Sequence, residues 1–210
     1  MTTDLASAAM IAFTYIGALV AQKAASGSID LLWKRVSSVF EEQADPPLTP
    51  DASIEAARRV LSDNPELLTE VEAVFSNSSA LKRARLVGTA IKDARILWVD
   101  DNPKNNQWER LTLKQLGAHV TAADTTETAL GCLRSDSYDL ILSDVSRAGN
   151  SREGIAALPR LQSVSPDTAV VFYVGHVDPS MGVPPGAFGI TNRPDELLHL
   201  VMDALERRRL

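Results

Sequence analysis

The spacing of apolar and polar positions changes character partway along the chain. In the first part it follows a helical period. Positions 8–21 (AAMIAFTYIGALVA) are mostly apolar, and no charge falls between Asp4 and Lys23. At about 1.5 Å per residue the run spans roughly 21 Å, short of the ~30 Å hydrocarbon core of a bilayer. It is therefore read as a buried helix, with a membrane anchor as the alternative. The opening MTTD is acidic, where a signal peptide needs a basic start. Ile29, Leu32, Trp33, Val36 and Phe40 share one face of a second helix over 28–40, with Ser28 placed to cap it. Pro46, Pro47 and Pro50 lack backbone donors and predict a loop over 44–51. A third helix is expected over 52–62. Asn64-Pro65 then opens a fourth, with Asn as its cap and Leu67, Leu68, Val71, Val74 and Phe75 on its apolar face. Residues 81–92 carry Lys82, Arg83, Arg85 and Lys92 and read as a solvated linker helix, a nucleic-acid patch being the alternative.

From residue 94 the pattern becomes short apolar runs alternating with helices. The runs at 95–99, 138–142 and 168–174 end in Asp100-Asp101, Ser143-Asp144 and Gly175-His176, and 119–123 and 188–190 are weaker strands. Continuous apolar runs of this length suit strands buried on both faces of a parallel sheet. Helices are predicted over 105–116, stopped by Gly117, from Thr125 to about 133, over 153–162, and over 194–208, where Arg207, Arg208 and Arg209 suit the negative end of a helix dipole. The expected fold is α/β: a C-terminal doubly wound, flavodoxin-like sheet of five parallel strands in the order 2-1-3-4-5, with a smaller all-α N-terminal domain. The expected division is a helical adaptor at 1–80, a linker at 81–92 and the α/β domain at 93–210.

Composition narrows the function classes. The 210 residues are 45% hydrophobic and 23% charged, as in ordinary globular proteins. A net charge of −6 argues against nucleic acid or an acidic membrane surface as partner. Residues 1–90 and 91–210 each carry −3, so charge does not divide the chain. The single cysteine, Cys132, forms no internal disulfide, and a reducing cytoplasm is the simplest setting. It sits on a predicted helix and reads as packing. His119, His176 and His199 are scattered, which argues against a His-rich metal site.

In doubly wound sheets the chemistry sits at the carboxyl ends of the strands. Here those ends carry Asp100, Asp101 and Asp144, and strands one and three are neighbours in the expected order. Like charges crowded in one pocket repel, and a divalent cation relieves the repulsion. Hard carboxylate oxygens suit Mg²⁺. Asn102-Pro103 and Asn105-Asn106 follow the acid pair, between Trp98 and Trp108. Helix capping by Asn and core packing by Trp are preferred over a special pocket there.

ILWVDDNP (96–103), YDLILSDV (138–145) and GAFGITNRPDELL (186–198) resemble a CheY-like receiver domain of two-component response regulators. The resemblance covers about 93–210. It implies that Asp100 and Asp101 are Mg²⁺ ligands, that Asp144 accepts phosphate from a histidine kinase or phosphotransfer protein and also touches the metal, and that Ser146 offers a backbone carbonyl. It also places departures. The hydroxyl residue expected after strand four is Val174, the lysine before proline is Arg193, and the aromatic switch position is Ile190. Arg193 keeps the charge for phosphate contact but not the geometry of lysine. Ten residues between Gly175 and Gly186, three of them proline, leave a fourth crossover helix short or absent.

The N-terminal part is similar, more loosely, to the alanine-rich helical segments preceding signalling domains in many actinobacterial proteins. It contributes no catalytic constellation and reads as a packing or oligomerisation module. The chain ends on the last helix of the receiver pattern, so output is expected through the N-terminal helices or a downstream protein, with a homodimer as one form. Two readings follow: a phosphorylatable receiver, or a phosphorylation-independent pseudo-receiver acting as a scaffold. An enzyme is disfavoured, since phosphatases of the haloacid-dehalogenase type need D-x-D where this chain has D-D.

Overall fold

The computed structural model describes residues 5–43, 54–177 and 182–208. The proline-rich stretch at 44–51, the side chain of Phe40, and Arg209 lie outside what it describes. Among the described residues six helices come first: α1 (Leu5–Ala21), α2 (Gly27–Gln43), α3 (Ile54–Asp63), α4 (Pro65–Asn77), α5 (Ser79–Leu86) and α6 (Gly88–Ile91). The α/β part follows as β1 (Arg95–Val99), α7 (Gln107–Gln115), β2 (His119–Ala123), α8 (Thr126–Ser135), β3 (Leu140–Ser143), α9 (Glu153–Val164), β4 (Ala169–Tyr173), β5 (Gly189–Thr191) and α10 (Pro194–Arg208). The five strands are all parallel, in the order β2-β1-β3-β4-β5. No helix lies between β4 and β5 among the described residues.

The near-continuous apolarity of the central strands has a direct cause. Successive side chains point to opposite faces, and both faces are covered. Ile96 and Trp98 of β1 turn to the layer of α7 and α10, while Leu97 and Val99 turn to α8 and α9. The helical unit stacks on the α7/α10 layer, and one apolar cluster runs from α1 through α7 and α10 into the sheet.

α1 is the centre of this arrangement. It packs against α2, α3, α4, α7 and α10, and its residues from Ala9 to Leu19 are all buried. A helix enclosed on every side is apolar on every side, which is why its sequence resembles a membrane segment. No helix among the described residues is long and apolar enough to cross a membrane. Where α1 crosses α7, Gly17 lies against the indole of Trp108: a Cβ on Gly17 would fall 2.5 Å from Trp108 Cδ2. Trp108 also meets Phe13 edge-on at 5.7 Å and Trp33 at 4.9 Å, so α1, α2 and α7 share an aromatic cluster. Such pairs each contribute about 0.5–1.5 kcal/mol beyond their buried area.

The segment expected to be a solvated linker differs from that reading. Ala80, Leu81, Ala84, Ala90 and Ile91 are buried, so α5 and α6 are part of the core. Arg83 reaches across to α10 and pairs with Asp203 at 2.5 Å and Glu206 at 2.7 Å. Arg83 therefore reports an internal contact, while Lys82, Arg85 and Lys92 stay exposed. Two expected caps also differ: Asn64 gives no cap bond and instead donates to the Val60 carbonyl, and α2 starts one residue before Ser28.

Candidate acidic site

Parallel β1 and β3 are adjacent, with Val99 level with Ser143, so the residues that follow them meet at one edge of the sheet. Asp100, Asp101 and Asp144 come together there, each offering a carboxylate oxygen within 4.8 Å of the others. Asp100 and Asp144 are half-buried and Asp101 is exposed. Each is held from its own side. The Asn102 backbone N–H donates to Asp100 Oδ1 at 2.6 Å, and Asn106 Nδ2 to Asp100 Oδ2 at 2.5 Å. The Ala148 N–H donates to Asp101 Oδ2 at 2.7 Å, from a backbone turned left-handed at φ 50°. The Val145 N–H donates to Asp144 Oδ1 at 2.7 Å, and the Ser146 N–H bonds the same carboxylate.

Burial raises the pKa of Asp100, and the neighbouring charges of Asp144 and Asp101 push the same way. Asp144 is also raised, again mainly by burial, with Asp101 adding to it and Arg147 opposing. The donor set is all hard oxygen and carries excess negative charge, which fits Mg²⁺. Asn106 supports the fit: it is only 2% exposed, and its Oδ1 is buried without a partner beside the acids. The structure thus favours a pocket role for this asparagine over helix capping; it precedes α7 but gives no side-chain cap bond. Trp98 and Trp108 are packing residues, as expected.

The cleft over the acids holds about 340 Å³ and is walled in part by Ala21 at the end of α1 and by Gln22 just after it. Lys104, Asn105, Tyr173, Val174 and Gly175 complete it. Val174 therefore stands where the sequence alignment places it, without a hydroxyl. Arg193 is not among the lining residues. Its Nε and Nη2 donate to Asp195 at 3.1 and 2.8 Å, and its side chain is 62% exposed. Cys132 is half-buried on α8 beside the apolar core.

Three features escape a reading of the sequence. Arg147, three residues after Asp144, is 2% exposed. Glu109 of α7 is also buried, and Tyr173 Oη donates to its Oε1 at 2.7 Å. Gln22, just past the end of α1, hydrogen-bonds both partners of that pair. Neither charge announces itself. An arginine in a loop normally faces water, and Glu109 breaks no helical stripe because α7 is packed on two sides.

The chain is similar to known proteins over its α/β part. Residues 96–190 match the family model described as the response regulator receiver domain. A stretch of 70 residues is 34% identical to the sensor histidine kinase GacS of Pseudomonas protegens, covering 33% of this chain and 8% of that protein. NtrX from Brucella abortus shares 24% identity with a TM-score of 0.50, over 56% of this chain and 28% of that one. A CheY-like receiver domain protein from Methanospirillum hungatei JF-1 shares 21% identity with a TM-score of 0.49, over 56% of this chain and 98% of that one.

Proposed function

We propose that this chain, whose residues 96–190 match the model of the response regulator receiver domain, is a phosphorelay receiver in which Asp144 accepts a phosphoryl group from a histidine kinase or phosphotransfer protein. The observation that carries the reading is the convergence of Asp100, Asp101 and Asp144 from two adjacent strand ends. Asp100, Asp101, Asp144 and the Ser146 carbonyl would hold Mg²⁺, which supplies charge neutralisation for the transferred group. An Asp144 oxygen forms the new O–P bond while the donor's bond to phosphorus breaks and the donor keeps that electron pair. The Val145 and Ser146 N–H groups hold the Asp144 carboxylate for this attack. Arg193 can contact the phosphoryl oxygens only by leaving Asp195, whereas Lys104 already lines the cleft. The chain signals and does not turn over a substrate, and its setting is cytoplasmic. Output passes to a downstream protein through the helical unit or the receiver face, with a homodimer as one form and no nucleic-acid or membrane partner.

A second reading, the phosphorylation-independent pseudo-receiver, is favoured by Val174, Ile190 and the Arg193–Asp195 pair. Incubation with Mg²⁺ and acetyl phosphate separates the two. Intact mass is expected to gain one phosphoryl group, absent in Asp144→Asn and without Mg²⁺. An unchanged mass under conditions where Mg²⁺ binds favours the pseudo-receiver.

A further inference from the structure

A buried arginine needs a reason. Moving a guanidinium out of water is expensive, and an apolar side chain of similar volume would fill the space at lower cost. Arg147 is nevertheless buried, and it stays charged because guanidinium does not deprotonate in proteins. Its hydrogen bonds all go to neutral oxygens. Nη1 donates to Ser143 Oγ at 2.5 Å, to the Asp144 carbonyl at 3.0 Å and, at 3.4 Å, to the Val99 carbonyl. Nη2 donates to Thr126 Oγ1 at 3.0 Å. None of these bonds goes to a carboxylate, so no direct ion pair cancels the charge. Its field falls instead on Glu153, Asp144, Asp100 and Asp101.

The placement is specific. The Nη1 bonds tie the end of β1 to the end of β3, the two strands that present the acids. Thr126 Oγ1 in turn donates to Glu153 Oε1 at 3.0 Å, which anchors the network at the starts of α8 and α9.

We infer that Arg147 is a built-in counter-cation and positioning residue of the acid pocket, holding the β1 and β3 ends together and supplying positive charge that a bound divalent ion would otherwise provide alone. The inference rests on the metal-binding reading above. Its consequence is counter-intuitive: removing the arginine strengthens metal binding, because the ion then meets three acids with no internal compensation. A residue that only shaped the pocket would give the opposite result on removal.

The test is calorimetric titration of Mg²⁺ into the full chain at low ionic strength, with thermal unfolding in EDTA alongside. Arg147→Met is expected to bind Mg²⁺ about tenfold more tightly than the native chain. It is also expected to unfold at lower temperature in EDTA and to recover when Mg²⁺ is added. Arg147→Lys retains the charge and is expected to stay within about twofold of native affinity. Glu153→Gln removes an anion that competes for Arg147, and should weaken Mg²⁺ binding about threefold. Glu127→Gln, which alters an acid paired with Arg160 on the surface, is the control expected to change nothing. Should Arg147→Met fail to fold, the Glu153→Gln result decides. Native or weaker affinity in Arg147→Met, or native affinity in Glu153→Gln, overturns the counter-cation role while leaving the metal site standing. No Mg²⁺ binding by the native chain removes the metal site, and the inference with it.

Discussion

Gly17→Val is expected to destabilise the protein by roughly 3 kcal/mol or more, a large share of the stability of a domain of this size. The reason is the contact between α1 and α7. Even one carbon on Gly17 would sit 2.5 Å from Trp108 Cδ2 and 2.6 Å from Cε3. The indole cannot give way, since Phe13 and Trp33 hold it. Gly17→Ala is expected to act in the same direction with a smaller effect. This reverses the ordinary rule, by which a helix-interior glycine costs about 0.5–1 kcal/mol relative to alanine. Gly131 in α8 supplies the comparison, because a Cβ there meets nothing within 4 Å. Gly131→Ala should therefore stabilise by up to about 1 kcal/mol. Chemical denaturation of both alanine variants checks the pair. Stabilisation by Gly17→Ala would contradict the docking of α1 on α7.

Glu109→Gln is expected to stabilise the protein above neutral pH by up to about 3 kcal/mol. Burial pushes the Glu109 carboxyl from 4.5 to about 7, against the opposing hydrogen bonds from Tyr173 and Gln22 and the charge of Arg110. Its Oε2 is buried without a partner. A raised carboxylate pKa means that the folded chain keeps a proton which the unfolded chain has already released. Stability from this group therefore falls as pH rises from 4.5 to 7, and the full cost applies above that range. The substituted amide is neutral throughout, so the variant should lose that slope and gain most at pH 8. Unfolding titrations of both chains at pH 5 and pH 8 measure it. Equal stabilities at pH 8 would show that Glu109 is solvated, not buried.

Both predictions concern groups that the apolar pattern conceals, and this marks how much was legible in the sequence. The strand runs at 95–99 and 138–142, the acid pair and Asp144 could be placed because buried parallel strands leave a continuous apolar signature. Strand ends in such sheets also carry function. The alternation of strands and helices indicates a doubly wound sheet; its strand order is one of the two common orders of such sheets, and the structure shows it. What stayed hidden depends on packing between distant segments. Arg83 looks solvated until α10 supplies Asp203 and Glu206 for it. The apolar run in α1 reads as a buried helix, but does not say which five helices surround it. Arg147 looks like a loop cation until Ser143, Thr126 and two carbonyls close around it. Arg193 is the converse case: its place before Pro194 suggests phosphate contact, but the neighbouring Asp195 occupies its guanidinium.

These placements also link the two parts of the chain. The end of α1 walls the cleft above Asp144, and Gln22 bonds Glu109 and Tyr173 beneath it.

The central claim is that Asp144 is the residue that takes up phosphate. Its most direct test is to treat the full chain with acetyl phosphate and Mg²⁺, reduce the product with borohydride, and map the peptides by mass spectrometry. An aspartyl phosphate is reduced to homoserine, so the account predicts that conversion at position 144 alone. Conversion at Asp100 or Asp101, or none at any carboxylate, would contradict it.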